Sequence, residues 1–251
     1  MAKDTKIGKN RTGMQMSPRD SAELLQGSAR SVPTSEGDER ALAELRAEYI
    51  RENEVLGTVP PPGTVKGMAT AGAQMLTGNR AQTLIDKLGE RLAFERGGTR
   101  LYDALILKVE SGADTHGIVP LPMLQQIRAD EAQHADLVRQ AIERLGGDPT
   151  AQTPCADLVG VQSLGLMQAI NEPRTTVAQG INTILIAELA DNAGWELLIT
   201  LAEGMGQTDL AAEFEAALSH EREHLLTVRD WLEQLTVADA KLVGAVAANE
   251  A

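Results

Sequence analysis

The sequence predicts an all-α protein whose body is a four-helix bundle of two helix hairpins joined by a long crossover. Three observations predict it. Glu-x-x-His occurs twice, as Glu131-Ala-Gln-His134 and Glu221-Arg-Glu-His224, each on a stretch with helical periodicity. Residues three apart on a helix share a face, about 4.5 Å apart along the axis, so each motif aims a carboxylate and an imidazole at one point. The upstream halves repeat too: Glu95, Tyr102, Asp103 and Glu110 recur as Glu188, Trp195, Glu196 and Glu203, so a helix hairpin has been duplicated. Finally, the chain is 43% hydrophobic but only 2% aromatic, a Leu, Ile, Ala and Val core that suits packed helices better than sheets.

Taken in order, residues 1–37 are polar and rich in Ser, Thr, Gly and basic side chains, and read as a disordered tail. Residues 38–78 hold a helix over 38–56, marked by Leu42, Leu45, Tyr49 and Leu56, then the break at Pro60-Pro61-Pro62 and a weakly apolar segment to 78. The bundle spans 79–236. Asn79 is the expected N-cap of its first helix, about 80–111, where Leu84, Leu88, Leu92 and Glu95 share one face. Gly97-Gly98 interrupts that helix, either for close helix packing or to open space beside Glu95. The second helix, about 120–145, starts with Pro120 and Pro122 and ends at Gly146-Gly147. A crossover over 147–171 is expected to hold a short helix near Leu158–Ala169. Asn171 with Pro173 predicts the start of the third helix, about 172–203, and Thr208 caps the fourth, about 209–236. Residues 237–251 form a small Ala-rich tail.

The candidate metal ligands are Glu95, Glu131, His134, Glu188, Glu221 and His224. Four carboxylates meeting in a bundle repel; at an effective dielectric near 20, one pair at about 4 Å costs about 4 kcal/mol. Two divalent cations with neutral imidazoles balance them, and mixed oxygen and imidazole donors suit iron or manganese. Asp191, three residues after Glu188, shares the ligand face where the first hairpin has Gly98. It reads as a further ligand or as a group acting through water or from behind the ligands. Tyr102, two turns from Glu95, is placed to hydrogen-bond a ligand, to meet a reactive oxygen species or to pack in the core.

The order Glu, Glu-x-x-His, Glu, Glu-x-x-His over roughly 79–236 resembles the ferritin-like di-iron carboxylate superfamily, which includes bacterioferritins and rubrerythrins. The resemblance implies that Glu131 and Glu221 bridge two metal ions per subunit, iron first and manganese second, while Glu95 and Glu188 each bind one. It implies that Asp130, before the first motif Glu, supports His224. His220 fills the matching slot and departs from the pattern, either accepting a hydrogen bond from His134 or turning outward. An enzyme reacting with O2 or peroxide is implied, as ferroxidase, peroxidase or oxidase, fed by an external electron donor and assembled as a homo-oligomer of two or more subunits. A metal-binding or iron-handling protein without turnover, and a dimanganese catalase, are the alternatives.

A net charge of −13 argues against nucleic acid as a partner. The single Cys155 excludes an internal disulfide or an iron–sulfur site. No apolar run reaches the ~18 residues of a membrane span, and the N-terminus lacks a signal peptide's apolar core, which leaves the cytoplasm as the expected location.

Overall fold

The computed structural model describes residues 17–31, 39–62, 65, 67–68, 81–112 and 116–240. They fall into two units, one ending at Val55 and one beginning at Leu56. The first holds α1 (Pro18–Arg30) and α2 (Glu39–Glu52), neither with a buried residue. The tail expected to be disordered over 1–37 therefore contains a helix. Pro18 stands in its first turn, Asp20 follows, and Arg30 closes it, charges that complement the helix dipole. α2 agrees with the helix expected over 38–56.

The second unit holds α3 (Ala81–Glu110), α4 (Leu121–Arg144), α5 (Pro154–Gln162), α6 (Leu164–Asn171), α7 (Val177–Gly204) and α8 (Thr208–Asp239). α3 packs on α4 and α7 on α8, and α3 against α7 joins the two hairpins. The expected cap Asn79, most of the segment 63–80 and the tail beyond 240 lie outside the described residues. α4 ends as expected, with Gly146 at φ 84° after the last turn.

The third bundle helix starts later than Asn171-Pro173 suggested. Asn171 ends α6, and Thr176 caps α7 with a reciprocal box: Gln179 N–H donates to Thr176 Oγ1 at 3.2 Å, and Thr176 N–H to Gln179 Oε1 at 2.9 Å. Thr208 is the first residue of α8 instead of its cap, because Gln207 occupies that position without a side-chain bond. α8 also runs past the expected end, to Asp239.

The crossover carries two short helices instead of one and is pinned to α3. Cys155 N–H donates to Asp86 Oδ1 at 2.9 Å, and Thr153 caps α5 while fitting against Gly89, where a Cβ would collide with it.

Each bundle helix has two apolar stretches separated by a polar layer. One core gathers Leu88, Leu92, Val138, Ile142, Trp195 and Phe214; the other gathers Leu101, Leu105, Leu124, Ile184, Val228 and Trp231. Burying such side chains is worth about 1.5–3 kcal/mol each, so the two cores hold the layer between them in place. Along α3 and α8 the chain passes from the first core to the second, and along α4 and α7 from the second to the first. α4 and α7 are thus parallel, which is why a crossover is needed.

Candidate metal centre

The polar layer is where the six candidate ligands meet. Glu95, Glu131, Glu188 and Glu221 are at most 2% exposed, and His134 and His224 at most 5%. Glu95, Glu131, His134 and Glu221 place one donor atom each within 4.8 Å of one another, and so do Glu131, Glu188, Glu221 and His224. The two clusters share Glu131 and Glu221, the pair expected to bridge.

Both imidazoles turn Nδ1 inward. His134 Nδ1 lies 2.5 Å from Glu221 Oε1; His224 Nδ1 lies 3.4 Å from Glu221 Oε2 and 3.7 Å from Glu131 Oε1. His224 Nε2 lies 3.3 Å from Asp130 Oδ2, the support expected for it. His220 is exposed and its ring lies alongside that of His134, centroids 5.8 Å apart and planes 20° apart.

Buried polar atoms without a hydrogen-bond partner are rare and call for an explanation. Here they are both oxygens of Glu95 and of Glu221, Glu131 Oε1, Glu188 Oε2, and Nδ1 of His134 and His224, joined by Trp195 Nε1 outside the ligand set. Every candidate ligand contributes an orphaned donor atom, so the residues fit a pair of cations. The electrostatics agree. Burial, then the neighbouring acids, push Glu131 well above the usual carboxylate range, and burial leads the same rise at Glu95 and Glu188. Glu221 goes the other way. Burial pushes it up, but the imidazoles of His134 and His224 close beside its carboxylate outweigh that and hold it at about 2. Burial lowers His224, yet Glu221, Glu188 and Asp130 carry it to about 9.

Tyr102 donates its hydroxyl hydrogen to Glu188 Oε1, so it holds one of the candidate ligands. Burial, then Glu188, raise the phenol well above its ordinary value, so it remains a donor. Gly98 settles the role of the glycine pair: a Cβ there would strike the Glu131 carboxylate, whereas one at Gly97 meets nothing within 4 Å. Of the two readings for the pair, Gly98 opens space for a candidate ligand, but for Glu131 and not beside Glu95 as expected.

Asp191 lies in the layer, 2% exposed, but outside both donor clusters, because its carboxylate accepts from Arg91. Arg91, 4% exposed, also stands 3.5 Å from Glu95 Oε1. Sequence reasoning passed over it. Its signal was present, a charged residue one turn before Glu95 within the apolar face of Leu84, Leu88 and Leu92. Asn192 was missed as well: its Nδ2 donates to the carbonyls of Glu188 at 3.0 Å and Glu221 at 3.1 Å, tying α7 to α8 beside the site.

Two hairpins joined by one crossover, each turning a Glu and a Glu-x-x-His inward, make an all-α four-helix bundle with ferritin-like topology. Among solved structures, the chain is similar to one described as a ferritin-like, diiron-carboxylate protein from Bacillus anthracis str. Ames. The two are 22% identical over 60% of this chain and 95% of that one, with a TM-score of 0.48. No protein-family model matches the chain, and no curated protein does. No helix among the described residues is long and apolar enough to cross a membrane.

Proposed function

We propose that the chain is a dinuclear metal protein, with iron as its metal, that reacts with O2 or peroxide using electrons from a separate donor. Glu95 and His134 would hold one ion and Glu188 and His224 the other, with Glu131 and Glu221 touching both. Such a pair supplies Lewis acidity and electrons to an oxidant. The chain's own groups would do the rest: the two apolar cores exclude water, Asp130 fixes the His224 imidazole, and Tyr102 holds Glu188 in place. The observation that carries this reading is that the residues named by the repeat also hold the orphaned donor atoms.

Anaerobic titration of metal-free protein with Fe(II), followed by exposure to O2, tests it. Two ions per chain and oxidant consumption are expected. Glu131→Ala and Glu221→Ala should lose both, whereas Glu143→Ala and Glu233→Ala, which belong to the same repeat but lie on the exposed face, should lose neither. Metal binding without turnover in the presence of a reductant would leave an iron-handling protein. Oxygen release from peroxide by manganese-loaded protein would mark a catalase.

A further inference from the structure

Arg91 and Asp191 are where the duplication breaks. Ile184 stands where the second hairpin would repeat Arg91, and Gly98 where the first would carry Asp191. These two unrepeated charges, one from each hairpin, meet inside the bundle. Arg91 Nη1 donates to the Asp191 carboxylate and, at 2.9 Å, to its backbone carbonyl. The guanidinium has a fitted seat: it lies 4.3 Å from the Phe94 ring centre, and a Cβ at Gly194 would come within 2.6 Å of Nη1.

We propose that this pair makes the two metal positions unequal, the ion on Glu95 and His134 being held more weakly than the ion on Glu188 and His224. The inference rests on the paired-metal reading above. Burial of Glu95, Glu131, Glu188, Asp191 and Glu221 with Arg91 leaves a charge that two divalent cations match. The pair leaves that total unchanged by itself but skews its distribution. Asp191 lies outside both donor clusters with its carboxylate taken by the guanidinium, so of the two it is Arg91 that faces a ligand position directly, 3.5 Å from Glu95 Oε1. The guanidinium lies against Glu95, so a cation arriving there shares its carboxylate with a fixed positive charge. On the other side Glu188 meets the neutral phenol of Tyr102. Arg91 is thus a positioning residue that reserves one place for an exchangeable ion.

Anaerobic calorimetric titration of the metal-free full chain with Mn(II) tests this. Wild type should fill in two steps whose dissociation constants differ by at least ~10-fold. Glu95→Gln should lose the weak step and keep the tight one, and Glu188→Gln should do the reverse; these arms decide the matter even if other variants fail to fold. Arg91→Gln combined with Asp191→Asn leaves no unpaired charge of the pair in the core and should bring the two constants within about threefold of each other. Arg91→Lys should preserve the wild-type ratio. A purely structural role would weaken both steps together and leave the ratio unmoved, which would overturn the proposal. So would equal steps in wild type, or a weak step that follows Glu188. Saturation of wild type at one ion or fewer would overturn the paired centre on which the proposal rests.

Discussion

A single hydrogen decides whether Glu131 fits. Gly98 has none of the Cβ that would occupy the space its carboxylate fills, while its neighbour Gly97 faces open space. The two glycines therefore separate propensity from chemistry. Gly97→Ala should stabilise α3 by about 1 kcal/mol and leave metal binding unchanged. Gly98→Ala brings the same gain in propensity but displaces a shared carboxylate, so its two-ion binding should weaken by ~10-fold or more while the metal-free fold survives. Thermal melting and metal titration of both variants check this; equal metal binding would show that Glu131 moves aside without cost. Tyr102→Phe is the companion case. Its ring is buried in an apolar core, so the fold should lose only the hydrogen bond to Glu188, about 1.5–3 kcal/mol. The Glu188-side ion should bind less tightly.

At the scale of elements, the sequence was legible where periodicity and breakers agreed. Leu84, Leu88, Leu92 and Glu95 marked one face of α3, and Gly146 ended α4, because both signals come from local geometry. It was misleading where two start signals competed. Asn171 with Pro173 looked like a cap, yet Thr176 and Gln179 form the reciprocal box that starts α7. Asn171 instead turns back, its Nδ2 donating to the Met167 carbonyl at 2.8 Å. α1 was hidden differently, since the polar composition of 1–37 as a whole masked a short stretch with its own helix signals. If Thr176 is the true cap, Thr176→Val should cost about 1 kcal/mol. That is a fall of about 2–4 °C in melting temperature for a protein of this size. Asn171→Ala should cost less. Metal stoichiometry should be unaffected by either, because Glu188 lies three turns into α7. A larger loss for Asn171→Ala would place the helix start back at the crossover.

Across the whole molecule, the meeting of the candidate ligands in one layer was legible because duplication wrote each of them twice; Arg91 and Asp191 were harder to read because their partnership crosses hairpins and is written once. The burial of these charges fixes how stability depends on pH. Glu95, Glu131 and Glu188 titrate well above 4.5 in the folded metal-free protein, Asp191 at about 7 against 3.8, and His224 at about 9 against 6.5. A group whose folded value is raised binds its proton more tightly when folded. Its stabilisation is complete below the unfolded value and is lost as pH rises through the folded one. Glu221, held at about 2, has the opposite sign, but its stabilisation is lost only as pH falls below 4.5 towards 2. The surface acids Asp136, Asp148, Glu172 and Glu213 are also lowered, so they finish titrating by about pH 5. Metal-free protein should therefore melt at progressively lower temperature from pH 5.5 to 9. Loaded protein should do the reverse, because cations compete with protons for the same donors and bind more tightly as pH rises. Melting curves of both forms in a common buffer series check this. Parallel slopes would mean that the buried acids and the metal ligands are different groups.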